Sequence, residues 1–227
     1  MRTLFLIPAR AGSKGLPGKN TKLLGEKTLI EYSIDFALNN LGKLDRLCVS
    51  TNDEQIVEIL RNRRIEIPFI RPIELSTDTS STYDVIIHAL SFYETKGCHF
   101  DTVLLLQPTS PFRISEDLIK IFSLYDDSLD MVVSVKKSKE NPYFNLFEES
   151  ASGYLYKSKS SNFITRQECP SVYAFNGSLY LINVKSLYLE NINDFKKVIK
   201  MVMPDERSID IDNIADWALA EYILNHI

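Results

Sequence analysis

The sequence predicts an α/β fold, a mainly parallel sheet with helices on both faces. Three observations carry this. Short apolar runs alternate along the chain with longer segments whose apolar residues recur at three- and four-residue steps, as strands followed by crossover helices do. The strand-like runs are apolar throughout rather than at every second residue, which suits strands covered on both faces. The 227 residues, 44% hydrophobic and 25% charged, fit one large α/β domain spanning 1–227.

Thr3–Ile7 is a short apolar run stopped by Pro8 and predicts a buried first strand. From Thr28 the pattern turns helical, with Leu29, Ile30, Ile34, Ala37 and Leu38 at helical spacing. Arg46–Ser50 predicts a second strand, and Asp53 opens a helix carrying Ile56, Val57 and Leu60. A third strand is expected over Ile65–Ile70, a helix over Tyr83–Tyr93 and an apolar strand over Thr102–Leu106. Ser115 is expected to cap a helix to Leu124, with Glu116 and Asp117 opposite the positive helix end. Met131–Val135, Ser178–Val184 and Val198–Met203 predict further strands, and Ile214–Leu224 a closing helix with Trp217, Ala218 and Leu219 as core.

The alternation breaks between about residues 136 and 175. Lys136–Pro142 is polar, and Tyr156–Asn162 is a turn rich in Ser and Lys. Between them Tyr143–Phe147 and Tyr154–Tyr156 read as the two strands of a hairpin, so this stretch is expected to be a small inserted β arm.

Charge narrows the function. With 26 basic against 30 acidic residues the net charge is −4, which argues against nucleic acid as a partner. Cys48, Cys98 and Cys169 are too few and too scattered for a disulfide framework or a zinc site, and predict reduced thiols in a cytoplasmic protein. Pro8 and Arg10 interrupt the first apolar run too early for a signal peptide, and no stretch reaches the length of a membrane span. His88, His99 and His226 show no catalytic pattern, and His88 is expected to be structural.

Against that acidic background, residues 1–25 contain no carboxylate side chain, while Arg2, Arg10, Lys14, Lys19 and Lys22 are cationic. The segment after the first strand reads Pro-Ala-Arg-Ala-Gly-Ser-Lys-Gly-Leu-Pro-Gly-Lys-Asn from Pro8 to Asn20. Glycines let backbone N–H groups approach a phosphate closely, and the cations offset its charge. The spacing is neither that of a P-loop nor G-x-G-x-x-G, so composition indicates a phosphate loop of another kind. Two more segments carry candidate chemistry. Gln107–Pro111 follows an apolar strand at its carboxyl end, where open α/β sheets place ligands. In Ile209-Asp210-Ile211-Asp212 the carboxylates share one face of an extended segment and the isoleucines the other. Such a pair suits Mg²⁺, which takes one or two carboxylates, although taken alone an Asp-x-Asp is more often a solvated edge or helix cap.

The segment Ile7–Asn20 closely resembles the signature of the sugar-acid cytidylyltransferases, especially the CMP-sialic acid synthetases. Further matches follow in family order: Arg71-Pro72 with Glu74-Leu75, Asp78-Thr79-Ser80-Ser81, Leu105 to Arg113, Asn176-Gly177-Ser178-Leu179-Tyr180, and Ser208 to Asp212. The resemblance covers the whole chain. It implies a Rossmann-like, GT-A-like nucleotidyltransferase fold whose arm mediates homodimerisation. The implied reaction is attack by the anomeric hydroxyl of a nine-carbon, nonulosonic acid on the α-phosphate of CTP, with pyrophosphate leaving.

Carried over residue by residue, the resemblance implies that Arg10, Ser13, Lys14 and Lys19 hold phosphate and that Asn20 fixes the nucleotide. Arg71 and the Asp78–Thr82 segment, through Ser80 and Thr82, line the cytosine and ribose pocket. Gln107 resembles the sialic-acid branch rather than the Kdo branch and lies between nucleotide and sugar. Arg166 matches an arginine that binds the sugar carboxylate, and Asn176 and Tyr180 match residues of the same pocket. Asp212 and Asp210 are the implied Mg²⁺ ligands, with Arg10, Lys19 and Asp212 the catalytic set. Two departures stand out: Ala174-Phe175 replaces an Arg-Pro pair, and Phe144 replaces a lysine of the arm. N-acetylneuraminate, its deaminated relative and legionaminate-type acids all remain open as substrates, as do a same-fold enzyme for another sugar and a non-catalytic CTP-binding module.

Overall fold

In the computed structural model, which describes residues 1–12 and 15–226, the apolar runs form strands and the periodic segments helices. The first half comprises β1 (Thr3–Pro8), a short ribbon of β2 (Leu23–Leu24) and β3 (Lys27–Thr28), α1 (Leu29–Asn40), β4 (Arg46–Ser50), α2 (Glu54–Asn62), α3 (Thr82–Glu94) and β5 (Thr102–Leu105). The second comprises α4 (Ser115–Leu124), β6 (Met131–Lys137), β7 (Phe147–Glu149), β8 (Leu155–Lys157), β9 (Tyr173–Asn183), α5 (Val184–Leu189), β10 (Val198–Val202) and α6 (Ile214–Leu224).

One sheet has the strand order β10-β6-β9-β5-β1-β4. β1 is parallel to β4 and β5, and β10 to β6, whereas β9 runs antiparallel to both of its neighbours. Side chains alternate across the sheet: Phe5 and Ile7 join Ile34 of α1, Leu60 of α2 and Ile121 of α4 on one face. Leu4 and Leu6 join Ile86 and Leu90 of α3 and Leu187 of α5 on the other. The expected sheet with helices on both faces is therefore present. A third cluster packs Leu24 and Leu29 against Ile209, Ile211 and Trp217, fixing α6 and the segment before it to the start of α1.

Helix starts follow the local chemistry. Thr28 and Glu31 close α1 with a capping box, in which the Thr28 N–H donates to Glu31 Oε2 at 2.9 Å. Asp53 caps α2, Ser81 caps α3 and Asn213 caps α6 through side-chain oxygens. Ser115 is not a cap: it is the first residue of α4, Ile114 holds the cap position, and the Asp117 carboxylate accepts the Ile114 N–H.

Other expectations shift for identifiable reasons. Ile65–Ile70 forms no strand, because Pro68 lacks a donor for a ladder and Ile65, Ile67 and Phe69 pack individually against the core. Tyr143–Leu146 is a turn, drawn back by Asn141, whose side chain accepts the Tyr143 N–H while its carbonyl accepts from Phe144 and Asn145. The hairpin is shorter than expected and pairs β7 with β8 alone. Lys136, Lys137 and Tyr173–Phe175 belong to the central sheet rather than to the insertion. Ala218 and Leu219 are exposed on α6, where Trp217, Ala220 and Ile223 supply the core.

The topology brings the functional segments together. β1, β4, β5, β6 and β10 all point the same way, so the segments after them emerge at one end of the sheet. Reversed β9 brings its beginning to that same end, which delivers Asn176 and Gly177 beside the segment after β5. No helix among the described residues is long and apolar enough to cross a membrane.

Candidate active site

Two cavities meet at this end of the sheet. The first, of about 380 Å³, is lined by Arg10, Gly15, Lys19 and Asn20 after β1, by Arg71, by the Thr77–Thr82 region, by Gln107 and by Asp212. Two of its cations, Arg10 and Lys19, are held in place by carboxylates. Arg10 Nη2 lies 2.6 Å from Asp78 Oδ1, and Lys19 Nζ lies 2.8 Å from Asp212 Oδ1 while donating to the Ile211 carbonyl at 2.8 Å. Gly15 is the only residue type that fits its position, since a Cβ there would stand 2.2 Å from the Asp212 carbonyl oxygen. Asn52, which sequence reasoning passed over, accepts the Ala11 N–H at 2.9 Å and anchors the start of the loop. Ser13 and Lys14 lie outside the described residues.

Arg71 is a buried guanidinium that makes no ion pair among the described residues. Its Nε donates to Ser50 Oγ at 2.9 Å and its Nη2 to the Ser50 carbonyl, leaving further donors toward the cavity it lines. Burial pulls its pKa down to about 10. A buried donor fork of this kind favours a ligand that brings acceptors. Asn20 is buried on the same wall. Ser80 lines the cavity with its hydroxyl already engaged, accepting the Thr77 N–H at 3.1 Å and donating to the Glu74 carbonyl at 3.0 Å. Thr82 begins α3 and lines both cavities.

The second cavity, of about 290 Å³, shares Ser81, Thr82 and Gln107 with the first. It continues over Tyr180 and Phe175, which meet edge to face with ring centroids 5.8 Å apart, to Ile182 and the Asn191–Asn193 turn. Burial pushes the Tyr180 phenol up to about 12, so at neutral pH it is a hydroxyl donor. Gln107 stands at the junction, where its carboxamide makes no hydrogen bond with another described residue. Its carbonyl is fixed by buried Arg113, which also holds Ser33 Oγ at 2.8 Å. Sequence reasoning met Arg113 only as the last residue of the Leu105–Arg113 match and gave it no role, and it did not name the Asn191–Asn193 turn, which carries no motif.

Two residues expected in the sugar pocket are placed elsewhere. Asn176 is buried and saturated by the protein: Oδ1 accepts from Ser134 Oγ at 2.6 Å and Nδ2 donates to Ser208 Oγ at 2.9 Å. Its carbonyl accepts from Ser110 Oγ at 3.0 Å. It therefore ties together the segment after β5, the irregularity in β9 opposite Ser134, and the segment that leads to Asp210 and Asp212. Gly177 follows with φ +73°, and a Cβ there would stand 2.9 Å from both Gln107 Oε1 and Ser110 Oγ. Arg166 is exposed on the arm, its guanidinium donating to the Lys139 carbonyl, and lines neither cavity. Within one chain, therefore, Arg166 does not reach the cavity where the resemblance puts a carboxylate-binding arginine.

The Ile209–Asp212 alternation is as expected, with both isoleucines buried and the carboxylates turned the other way. Asp212 is exposed at the first cavity, and Asp210 is largely enclosed behind it. Desolvation raises the Asp210 pKa, against a lowering contribution from the Thr109 hydroxyl. Its Oδ1 is buried with no hydrogen-bond partner among the described residues.

A six-stranded, mainly parallel sheet with a cationic loop after its first strand defines an α/β nucleotidyltransferase. The family model described as "Cytidylyltransferase" matches residues 4–205, and the chain belongs to this family. It is 36% identical to the CMP-N,N'-diacetyllegionaminic acid synthase of Legionella pneumophila, over 99% of this chain and 97% of that protein. It is 34% identical to the N-acylneuraminate cytidylyltransferase of Escherichia coli, over 97% of this chain and 52% of that protein. It is 30% identical to the pseudaminic acid cytidylyltransferase of Campylobacter jejuni, over 100% and 98%. Among solved structures, a CMP:2-keto-3-deoxy-manno-octonic acid synthetase in complex with CTP superposes with a TM-score of 0.71 at 15% identity, covering 100% of this chain and 99% of that one, which is a likeness of fold.

Proposed function

We propose that this enzyme transfers CMP from CTP to the anomeric hydroxyl of a sialic-type, nonulosonic acid. One bond forms between the sugar oxygen and the α-phosphorus, the bond to the bridging oxygen breaks, and pyrophosphate leaves as the hydroxyl proton is released. The observation that carries this reading is the junction at Gln107 of a cavity lined by Arg10, Lys19 and Arg71 with one lined by uncharged side chains. Phosphates belong in the first and a sugar in the second, with the reacting atoms where the two meet. The names of three relatives, a CMP-N,N'-diacetyllegionaminic acid synthase, an N-acylneuraminate cytidylyltransferase and a pseudaminic acid cytidylyltransferase, support the same reaction.

In this reading Arg10 and Lys19, with Ser13 and Lys14 of the same loop, hold the phosphates and stabilise the departing pyrophosphate. Arg71 and Asn20 receive the nucleoside, Thr82 borders both substrates, and Ser80 shapes the loop beneath them. Gln107 and Tyr180 orient the sugar so that its hydroxyl faces the α-phosphate. Asp210 and Asp212 fit a Mg²⁺ ion. The orphaned Asp210 Oδ1 is a buried acceptor without a donor, and a pair of carboxylates suits an ion that completes its shell with phosphate and water. When bound, the ion would neutralise charge on the phosphate oxygens. The chain acts in the cytoplasm as a homodimer, a role for the arm that its exposed Leu146, Phe147, Tyr154 and Leu155 support.

The test is pyrophosphate release from purified protein with CTP and Mg²⁺ across N-acetylneuraminate, its deaminated form, N,N'-diacetyllegionaminate, pseudaminate and Kdo. Release with a nine-carbon acid is expected. CTP binding without release on any of them would mark a nucleotide-binding module and overturn the proposal.

A further inference from the structure

The acceptor cavity is built to read the tail of the sugar. Among the described residues that line it there is no Lys, Arg, His, Asp or Glu, although the cavity beside it carries several charges. In the proposed reaction the anomeric hydroxyl faces the nucleotide near Gln107, which leaves the rest of the sugar to the part of the cavity lined by Phe175, Ile192 and Asn193. That part is mostly apolar. Phe175 stands edge-on to Tyr180, and Ile182 and Ile192 belong to the apolar cluster on that face of the sheet.

Polar groups there are few. Asn191 Oδ1 already accepts the Asn193 N–H at 3.1 Å, whereas the Asn193 carboxamide makes no bond with another described residue. One free carboxamide offers a donor and an acceptor together, the complement of an acylamino group, whose methyl can rest on the neighbouring Ile192. A glycerol tail presents three hydroxyls instead, and each one covered by Phe175 or Ile192 without a partner gives up its hydrogen bonds to water uncompensated.

We propose that the Phe175–Ile192 wall, with Asn193, selects a nonulosonic acid whose tail carries a second acylamino group and ends in a methyl, over one with a glycerol tail. This rests on the reaction proposed above. It also gives a role to Phe175, which stands where the sialic-acid pattern has a proline after an arginine.

The experiment compares kcat/KM for N,N'-diacetyllegionaminate and N-acetylneuraminate with saturating CTP, in the full chain and in a Phe175→Ser, Ile192→Ser double variant. Phe175 is 57% exposed, so the variant is expected to fold, and an unchanged KM for CTP checks that it has. The full chain is expected to prefer the methyl-ended acid by roughly tenfold or more, the value of one or two buried apolar groups. The variant is expected to lose most of that preference through a higher KM for the legionaminate. Equal or better use of neuraminate, or a preference that survives both substitutions, overturns the inference while leaving the cytidylyl transfer standing. Absence of turnover with both acids, while another acid of the panel is used, overturns the inference alone; absence with every acid of the panel overturns the reaction, and the inference with it.

Discussion

The cavities on either side of Gln107 are made in opposite ways. The nucleotide side concentrates charge: Arg10, Lys19 and Asp212 come from short segments and are held in ion pairs 2.6 to 2.8 Å long. The acceptor side has no charged lining residue among those described and is assembled from α3, the β9 strand and the turn before β10. A triphosphate is similar in every nucleotide, so its site can be written as a compact cationic loop. The sugars named for the relatives vary, and a site spread over several segments can vary with them.

The largest expected effect tests the charged side. Asp212→Ala should lower CMP transfer by roughly a hundred- to a thousandfold with an unchanged melting temperature, because in the proposed reaction this exposed carboxylate serves the phosphates. Retained activity would defeat the metal assignment. Arg71→Ala should raise the KM for CTP by about ten- to a hundredfold, the worth of one charge-assisted hydrogen bond, without moving the KM for the sugar. A matching rise in both would mean that the two sides are not separate.

Asn176 sharpens the comparison from beneath. Asn176→Ala and Ser208→Ala each break the 2.9 Å bond between them and should each cost about 1–3 kcal/mol of stability and lower kcat, with the sugar KM unmoved. A sugar KM that rises in Asn176→Ala but not in Ser208→Ala would return Asn176 to the sugar pocket.

The smallest effect lies away from both cavities. Asp35 accepts from Lys27 Nζ and from Arg63, and these partners outweigh its partial desolvation and hold its pKa below the ordinary value. A depressed carboxylate pKa contributes stability that is present above the unfolded value near about 3.9 and lost as pH falls through the folded one. Asp35→Asn should therefore lower stability at pH ~7 by under about 1 kcal/mol, given its partial exposure, and the deficit should shrink in acid. A melting-temperature difference that is constant from neutral to acid pH would contradict this, and neither KM should move.

Much of the nucleotide side was legible before folding. The Pro8–Asn20 segment holds most of the loop, and Asp210–Asp212 kept its alternation because Ile209 and Ile211 have a core to enter. The acceptor side was legible only in part. Tyr180 was found through its neighbours in sequence, whereas Phe175 was visible only as a departure and Asn193 carried no pattern. Asn176 misled, because the residue type that suits a sugar also suits a buried bridge, and only its contacts with Ser134 and Ser208 decide between them.

By itself, then, the sequence determined the layered α/β class, the strands and helices that local periodicity and capping specify, and the cationic loop, since each depends on residues close in the chain. The tertiary structure decided the antiparallel course of β9, the retreat of Arg166 onto the arm and the charge-free acceptor cavity. Those depend on contacts between segments distant in sequence, where burial and hydrogen-bond satisfaction, rather than local propensity, choose the outcome.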